Sequence, residues 1–168
     1  MRCLLLAAIW ALPCIACADT PDFSGQWQRA DANDVGSGWG DGSGSADLIT
    51  LAQDAARLRA EYAFFARTDM QPPLVFVYDL EGGETTNSVM MGRGEQKQVS
   101  RAKWVGNQLS ITTVHELTDR GKPVKSEVRQ VLTLQSPTEL IIETTRGAML
   151  GGPSTSSRSV YRRVESGQ

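Results

Sequence analysis

The residues that most often carry chemistry are scarce in this chain, and each scarcity excludes a class of protein. All three cysteines, Cys3, Cys14 and Cys17, lie at the N-terminus, so the rest of the chain has no disulfide framework, thiol nucleophile or thiolate metal site. The single histidine is His115, and no serine lies in a Gly-x-Ser-x-Gly elbow between a strand and a helix. We therefore predict no catalytic residue, no metal and no cofactor, and we favour a protein without enzymatic activity.

Long runs of charge of one sign are also missing. Of 17 basic and 19 acidic residues only Arg2 lies among the first 18, which leaves 16 basic against 19 acidic residues and a net charge of −3. Such a chain is predicted not to bind nucleic acid or an anionic membrane surface. The 150 residues after position 18 (168 minus 18) are enough for one domain with a substantial core.

The first 18 residues have the composition of a signal peptide. Met1-Arg2 is a short basic start, and the apolar run from Cys3 to Leu12 is too short to span a bilayer. Ala16-Cys17-Ala18 has the small-x-small pattern of a cleavage site, so cleavage after Ala18 and export are predicted, with residues 19–168 as the mature domain. A second interpretation makes Cys17 the lipid-modified first residue of a lipoprotein, although Cys14 stands where a large aliphatic residue is usual. That lipid would be the only contact with a membrane.

The rest of the chain alternates between apolar and polar residues in short segments that turn signals separate. This pattern is typical of half-buried strands in an all-β antiparallel sheet. The regular spacing predicts an up-and-down meander of about ten strands that closes into a barrel. The predicted strands are Phe23–Trp27, Leu48–Leu51, Arg57–Ala66, Leu74–Tyr78, Thr85–Met91, Lys97–Trp104, Leu109–Leu117, Lys125–Leu134, Leu140–Arg146 and Arg158–Val164.

One of these segments, residues 54–67, also carries helix signals. It is rich in helix formers, and Asp54 is a plausible N-cap. Leu58, Ala60 and Tyr62 nevertheless share one parity while charged residues occupy the other, as in a half-buried strand. The alternation favours the strand over the helix.

An up-and-down barrel sorts its connections between two ends. The connections after even-numbered strands are short turns, whereas those after odd-numbered strands are longer: 31–47, 68–73, 92–96, 118–124 and 147–157. We therefore predict a mouth at the long-loop end, where ligands of β-barrels enter. The candidate ligand-binding residues of this mouth and the lumen beneath it are Trp39, Tyr62, Arg67, Met70, Met91, Arg93, His115, Arg146 and Met149.

The arginines of this set could hold the acid head of an amphipathic ligand over a cavity lined by methionine and aromatic residues. In the competing interpretation, they are solvated loop charges that pair with Asp69 and Glu95, and the methionines fill gaps. His115 has the parity of the apolar residues Ile111 and Leu117, which is typical of a core or lumen histidine.

A three-residue motif adds a resemblance to this pattern. Gly25-Gln26-Trp27 on the first predicted strand, with Arg158 on the last, resembles the calycin signature of lipocalins, in which a Gly-x-Trp packs against a basic residue from the end of the barrel. The chain also resembles small exported bacterial proteins that open with Phe-x-Gly-x-Trp. It departs from lipocalins at Arg120, where their loop motif has an aromatic residue. The resemblance implies a lipocalin-like barrel in the bacterial periplasm, with Arg158 lying over the Trp27 ring as a cation.

The function that these features favour is a binding module for a small apolar or amphipathic, and in one version acidic, ligand. A structural or protein-interaction role in the cell envelope is the alternative, and it gains if Cys17 carries a lipid. We expect the protein to be a monomer.

The two interpretations of the leader predict different N-termini. Simple secretion yields a mature chain that begins at Asp19, whereas lipid modification yields one that begins at diacylated Cys17. Intact-mass spectrometry of the exported protein distinguishes them. We expect the unmodified Asp19 terminus, and a mass that includes two acyl chains would contradict simple secretion.

Overall fold

The computed structural model describes residues 20–30, 46–64, 72–91, 94–119, 122–148 and 153–165. These residues contain no helix, and hence none long and apolar enough to cross a membrane. Their ten strands are β1 (Gly25–Arg29), β2 (Leu48–Gln53), β3 (Arg57–Ala63), β4 (Leu74–Asp79), β5 (Glu84–Met91), β6 (Gly94–Val105), β7 (Gln108–Asp119), β8 (Lys122–Ser136), β9 (Glu139–Arg146) and β10 (Thr155–Arg163).

All ten strands form a single antiparallel sheet. Their order is β4-β3-β2-β1-β10-β9-β8-β7-β6-β5, so each strand pairs with its neighbours in sequence, apart from β4 with β5, and β1 pairs with β10. The two ends of this order, β4 and β5, lie against each other, and the sheet is nearly closed into a barrel. The predicted all-β meander of ten strands is confirmed.

The segment with mixed signals forms a strand over residues 57–63. Leu58, Ala60 and Tyr62 are buried, while Arg57 and Arg59 are exposed, as the alternation predicted. The Asp54 side chain caps the turn between β2 and β3, and no helix begins there. Its Oδ1 accepts hydrogen bonds from the backbone N–H groups of Ala56 and Arg57 at 2.8 and 2.7 Å. The same side-chain chemistry that begins a helix here turns the chain from β2 into β3.

Two connections predicted to be long are short. Residues 92–93 join β5 to β6, and residues 120–121 join β7 to β8, whereas the pattern predicted loops over 92–96 and 118–124. The β7–β8 ladder continues to the pair Asp119↔Lys122, because an extended pair of strands keeps its backbone groups hydrogen-bonded beyond the last apolar residue. The long connections are therefore three rather than five, and they lie between β1 and β2, β3 and β4, and β9 and β10.

The interior of the barrel receives one side-chain parity from each strand. The buried apolar cluster spans all ten strands, and its members include Trp27, Ile49, Leu58, Phe76, Val89, Ala102, Ile111, Leu132, Ile142 and Tyr161. Charged side chains point outward, and their ion pairs are exposed, as in Arg101–Glu84 at 2.9 Å. Such pairs contribute little to stability, so burial of the inner face holds the barrel together.

The end of the barrel that carries the short turns is plugged by the segment before β1. Phe23 was predicted to lie in the first strand but precedes it, and its ring stacks on that of Trp104 with centroids 5.8 Å apart. The Trp27 indole N–H donates to the Phe23 carbonyl at 2.9 Å, and Gln53 Oε1 accepts from the Phe23 N–H at 3.1 Å. These bonds fix a buried aromatic plug across the short-turn end.

The cation over the Trp27 ring is Arg163, which corrects the prediction of Arg158. The Arg163 guanidinium carbon lies 4.3 Å from the ring centroid, whereas Arg158 is exposed and stands opposite Glu143 in the β9–β10 ladder. Arg163 stands opposite Trp27 in the β1–β10 ladder, and this register decides which arginine meets the indole.

Gly25 makes room for Arg163, and this suggests a test. Its φ of 135° strains any L-residue, and a Cβ there would overlap the guanidinium. We expect Gly25→Ala to lower the free energy of unfolding by about 3 kcal/mol, the sum of backbone strain and lost Arg163 contacts. Gly106→Ala is the control, because its φ of 61° is also positive but the space around it is open. Urea unfolding compares them, and equal losses would contradict a role for the Arg163 contact.

Candidate functional site

The inner wall formed by β6, β7, β8 and β9 changes from apolar to polar along the barrel axis. Cross-strand pairing places inward residues in rows, the first of which lies nearest the short turns. This first row is entirely apolar, and the fourth is entirely polar. From the short-turn end the rows are Trp104, Leu109, Leu132 and Ile142; then Ala102, Ile111, Gln130 and Thr144; then Ser100, Thr113 and Val128; and then Gln98, His115 and Ser126.

The fourth row, which we call the polar row, consists of Gln98, His115 and Ser126. Gln98 and Ser126 are only 2% and 3% exposed. Gln98 Nε2 and Ser126 Oγ have no hydrogen-bond partner within the part of the chain that the structure describes. In the third row, by contrast, the hydroxyls of Ser100 and Thr113 form a hydrogen bond with each other at 2.9 Å. Gln98 and Ser126 therefore combine deep burial with unused hydrogen-bonding capacity among the described residues, a rare and costly arrangement in folded proteins.

The wall formed by β1, β2, β3 and β4 is apolar and aromatic over its full height. The ring of Phe76 contacts Tyr62 edge-on at 5.6 Å between centroids and stacks on Tyr78 at 6.3 Å. Burial raises the pKa of Tyr62 to about 12, partly offset by the neighbouring Tyr78 hydroxyl, and burial also raises the pKa values of Tyr78 and Tyr161. These phenols are neutral at ordinary pH. The lumen thus has an aromatic side and a side that becomes polar towards the long-loop end.

The predicted site residues fall into three groups. Tyr62 and His115 are buried in the lumen, on its aromatic wall and in its polar row. Arg146 ends β9 and is half-buried, opposite Val128, and Met91 ends β5 with a side chain outside the described part. The remaining predicted residues lie outside the described residues: Trp39, Arg67, Met70, Arg93 and Met149.

Sequence reasoning missed Gln98 and Ser126. A signal for Gln98 was available, since it shares parity with Ala102 and Trp104 in the predicted strand Lys97–Trp104. A polar residue that continues an apolar face marks a buried polar position. Ser126 gave a weaker signal, because hydroxyl residues occupy both faces of strands.

An open groove of about 470 Å³ lies on the outer face of β8, β9 and β10. Arg129, Glu143 and Arg158 line it together with three hydroxyl residues. Arg129 Nε donates to Ser110 Oγ at 3.1 Å, which holds this guanidinium against the wall. Arg158, predicted to lie over the Trp27 ring, belongs to this exposed surface.

Comparisons with known proteins leave the family open. No protein-family model matches the sequence, and no curated protein is significantly similar to it. The nearly closed ten-stranded antiparallel barrel is compatible with a calycin-like fold.

Because the three tyrosines are buried, the free energy of unfolding should fall as the pH rises in the alkaline range. A raised pKa means that the folded state keeps a proton that the unfolded chain loses above pH 10, so the stabilisation is complete below pH 10 and is lost as pH rises through about 12. Between these values Tyr62 alone should lower the free energy of unfolding by about 1.4 kcal/mol per pH unit. Urea unfolding between about pH 9.5 and about pH 11.5, an interval that spans the ordinary tyrosine pKa, measures the slope.

Tyr62→Phe is the control for this dependence, because it retains every other titrating group. We expect a shallower slope in this variant. The chain has three tyrosines, Tyr62, Tyr78 and Tyr161, and all are buried, so tyrosinate absorbance of the folded protein reports on them alone. A titration midpoint near the ordinary tyrosine value would contradict the prediction.

Proposed function

We propose that this protein is an exported binding module that holds a small amphipathic molecule in the lumen of its barrel. The ligand's head group accepts hydrogen bonds from the polar row, and its apolar part lies against the aromatic wall. The observation that carries this proposal is the pair of buried, unused polar atoms, Gln98 Nε2 and Ser126 Oγ.

The chemistry of the polar row indicates which head group fits. A glutamine Nε2 can only donate, and a serine hydroxyl can donate as well as accept. An unsatisfied buried donor costs about 1–3 kcal/mol, so a ligand that satisfies both donors recovers that free energy when it binds. A carboxylate offers several acceptor sites and forms charge-assisted bonds, which are stronger than those of a neutral carbonyl. We therefore favour an acidic head group.

The remaining wall suits the apolar part of such a molecule. Tyr62, Phe76 and Leu74 present aromatic and aliphatic surface on β3 and β4. Contact with this surface removes apolar ligand area from water and contributes about 25 cal/mol per Å². The predicted rim arginines Arg67, Arg93 and Arg146 remain part of the proposal, as cations that attract an acidic ligand to the long-loop end.

A structural or interaction role in the cell envelope is the second candidate. The filled short-turn half of the barrel favours it, because Phe23, Trp27 and Trp104 occupy that end with aromatic side chains. A lipid on Cys17 would add to its support. In that case the polar row would have no ligand to satisfy it.

Titration with 8-anilinonaphthalene-1-sulfonate, an acidic amphipathic probe, followed by displacement with dodecanoate and dodecanol, tests the binding function. We expect the probe to bind the folded protein and dodecanoate to displace it at lower concentration than the neutral alcohol. Gln98→Met and Ser126→Ala each remove one donor, so each should weaken dodecanoate binding about tenfold, equivalent to roughly 1.4 kcal/mol.

The same variants should retain or raise the free energy of unfolding without ligand, because each removes an unsatisfied buried group. Gln28→Met, on an exposed position of β1, is the matched control and should change neither quantity. Loss of stability in Gln98→Met with unchanged dodecanoate binding would indicate that the side chain serves the core alone. Absence of binding by the probe and by dodecanoate would contradict the proposed function.

A further inference from the structure

The barrel has one seam, between β4 and β5. Every other neighbouring pair in the sheet is joined by a backbone ladder. No ladder joins β4 to β5 among the described residues, although residues 80–83 connect these strands directly and the two lie against each other. Edge strands without partners are sites of local opening, since few hydrogen bonds must break there.

Among the residues that the structure describes, one side chain, that of Asn87, bridges this seam. The Asn87 carboxamide accepts a hydrogen bond from the Val77 N–H at 2.8 Å and donates one to the Val77 carbonyl at 3.0 Å. The amide thus presents to β4 the donor and acceptor that a paired backbone residue would present. Asn87 is 8% exposed, so its polar atoms depend on this contact. We refer to this pair of bonds as the Asn87 latch.

The latch lies at the end of the polar row. In the β5–β6 ladder Asn87 stands opposite Gln98, and the row continues through His115 to Ser126. Separation of β4 from β5 would therefore expose the lumen at the level of the donors that the proposed ligand contacts. The short-turn end offers no such path, because Phe23 stacks on Trp104 across it.

We propose that the β4–β5 seam opens reversibly while the nine ladders of the sheet stay intact, and that this opening is the route by which a small molecule reaches the polar row. The proposal that the route serves a ligand rests on the proposed function, whereas the opening itself does not. The Asn87 latch determines how often the seam opens, because its two bonds are the hydrogen bonds across the seam in the described part of the chain.

Thiol labelling of the lumen tests the opening without a ligand. In a full-length chain in which Cys3, Cys14 and Cys17 are replaced by serine, Ser126→Cys places one reporter thiol in the polar row. Methyl methanethiosulfonate is small enough to enter an opened seam, and mass spectrometry follows its addition. Asn87→Ala in this background should accelerate labelling about tenfold or more, as expected for loss of about one net hydrogen bond.

Two controls separate seam opening from general loosening. Asn107→Ala removes the same side chain from the exposed β6–β7 turn, and Ile142→Val weakens the core on β9 while it leaves the latch intact. Both should label at the rate of the parent. Labelling that accelerates equally in Ile142→Val would overturn the proposal, because access would then follow global unfolding. Unchanged labelling in Asn87→Ala would overturn it as well.

Hydrogen exchange of the parent protein keeps the proposal testable if Asn87→Ala does not fold. The Val77 amide should exchange through an opening that costs less than global unfolding, whereas amides of the β7–β8 ladder should exchange only with global unfolding. Exchange of the Val77 amide hydrogen only at the rate set by global unfolding would overturn the proposed opening of the seam.

Faster labelling without binding of anilinonaphthalene sulfonate or dodecanoate would support the opening and contradict the proposed function, whereas binding without accelerated labelling would place the route elsewhere.

Discussion

The pairing of the first strand with the last, which makes one continuous sheet of the ten strands, is reinforced by Arg163. Its guanidinium lies over the Trp27 ring, its Nη1 donates to the Ser24 carbonyl at 2.6 Å, and its Nε donates to the Pro137 carbonyl at 2.8 Å. One side chain near the end of the chain thus joins the first strand, the segment before it and the β8–β9 turn. Without these contacts the β1–β10 pairing that closes the sequence ends of the meander would rest on a short ladder. The requirement for space at Gly25 follows from the same interaction.

The interior that this closure creates is amphipathic. Near the short turns, aromatic and aliphatic residues pack as in an ordinary core, and stability there comes from burial. Towards the long-loop end one wall becomes polar, and the row of Gln98, His115 and Ser126 holds hydrogen-bonding groups away from water. A domain selected for stability alone would place apolar residues there, since buried unsatisfied groups are destabilising. The proposed binding function would account for this departure, whereas packing alone does not.

The Asn87 latch is a second place, this time in the wall of the barrel, where the structure departs from the most stable arrangement. A continuous ladder across β4 and β5 would close the sheet more firmly, yet the chain uses a side-chain amide at one point. The Asp79 carboxylate accepts from the N–H groups of Glu81 and Gly83 in the connecting turn. A turn satisfied by its own side chain does not need the flanking strands to pair. The weakest hydrogen-bonded boundary therefore lies beside the most polar part of the lumen.

The sequence determined the ten strands, their antiparallel order and the inward parity of most of them, because alternation and turn residues are local properties. Local pattern also explains the two misjudged loops, since nothing in residues 92–96 or 118–124 reports that a ladder continues through them. Only the tertiary structure decided which arginine covers Trp27: Arg163 stands opposite Trp27 in the β1–β10 ladder and shares the parity of buried Tyr161, whereas Arg158 lies on the outer face. It also decided that Gln98, His115 and Ser126 form one row, since residues distant in sequence become neighbours only when the pairing of three strands sets their level.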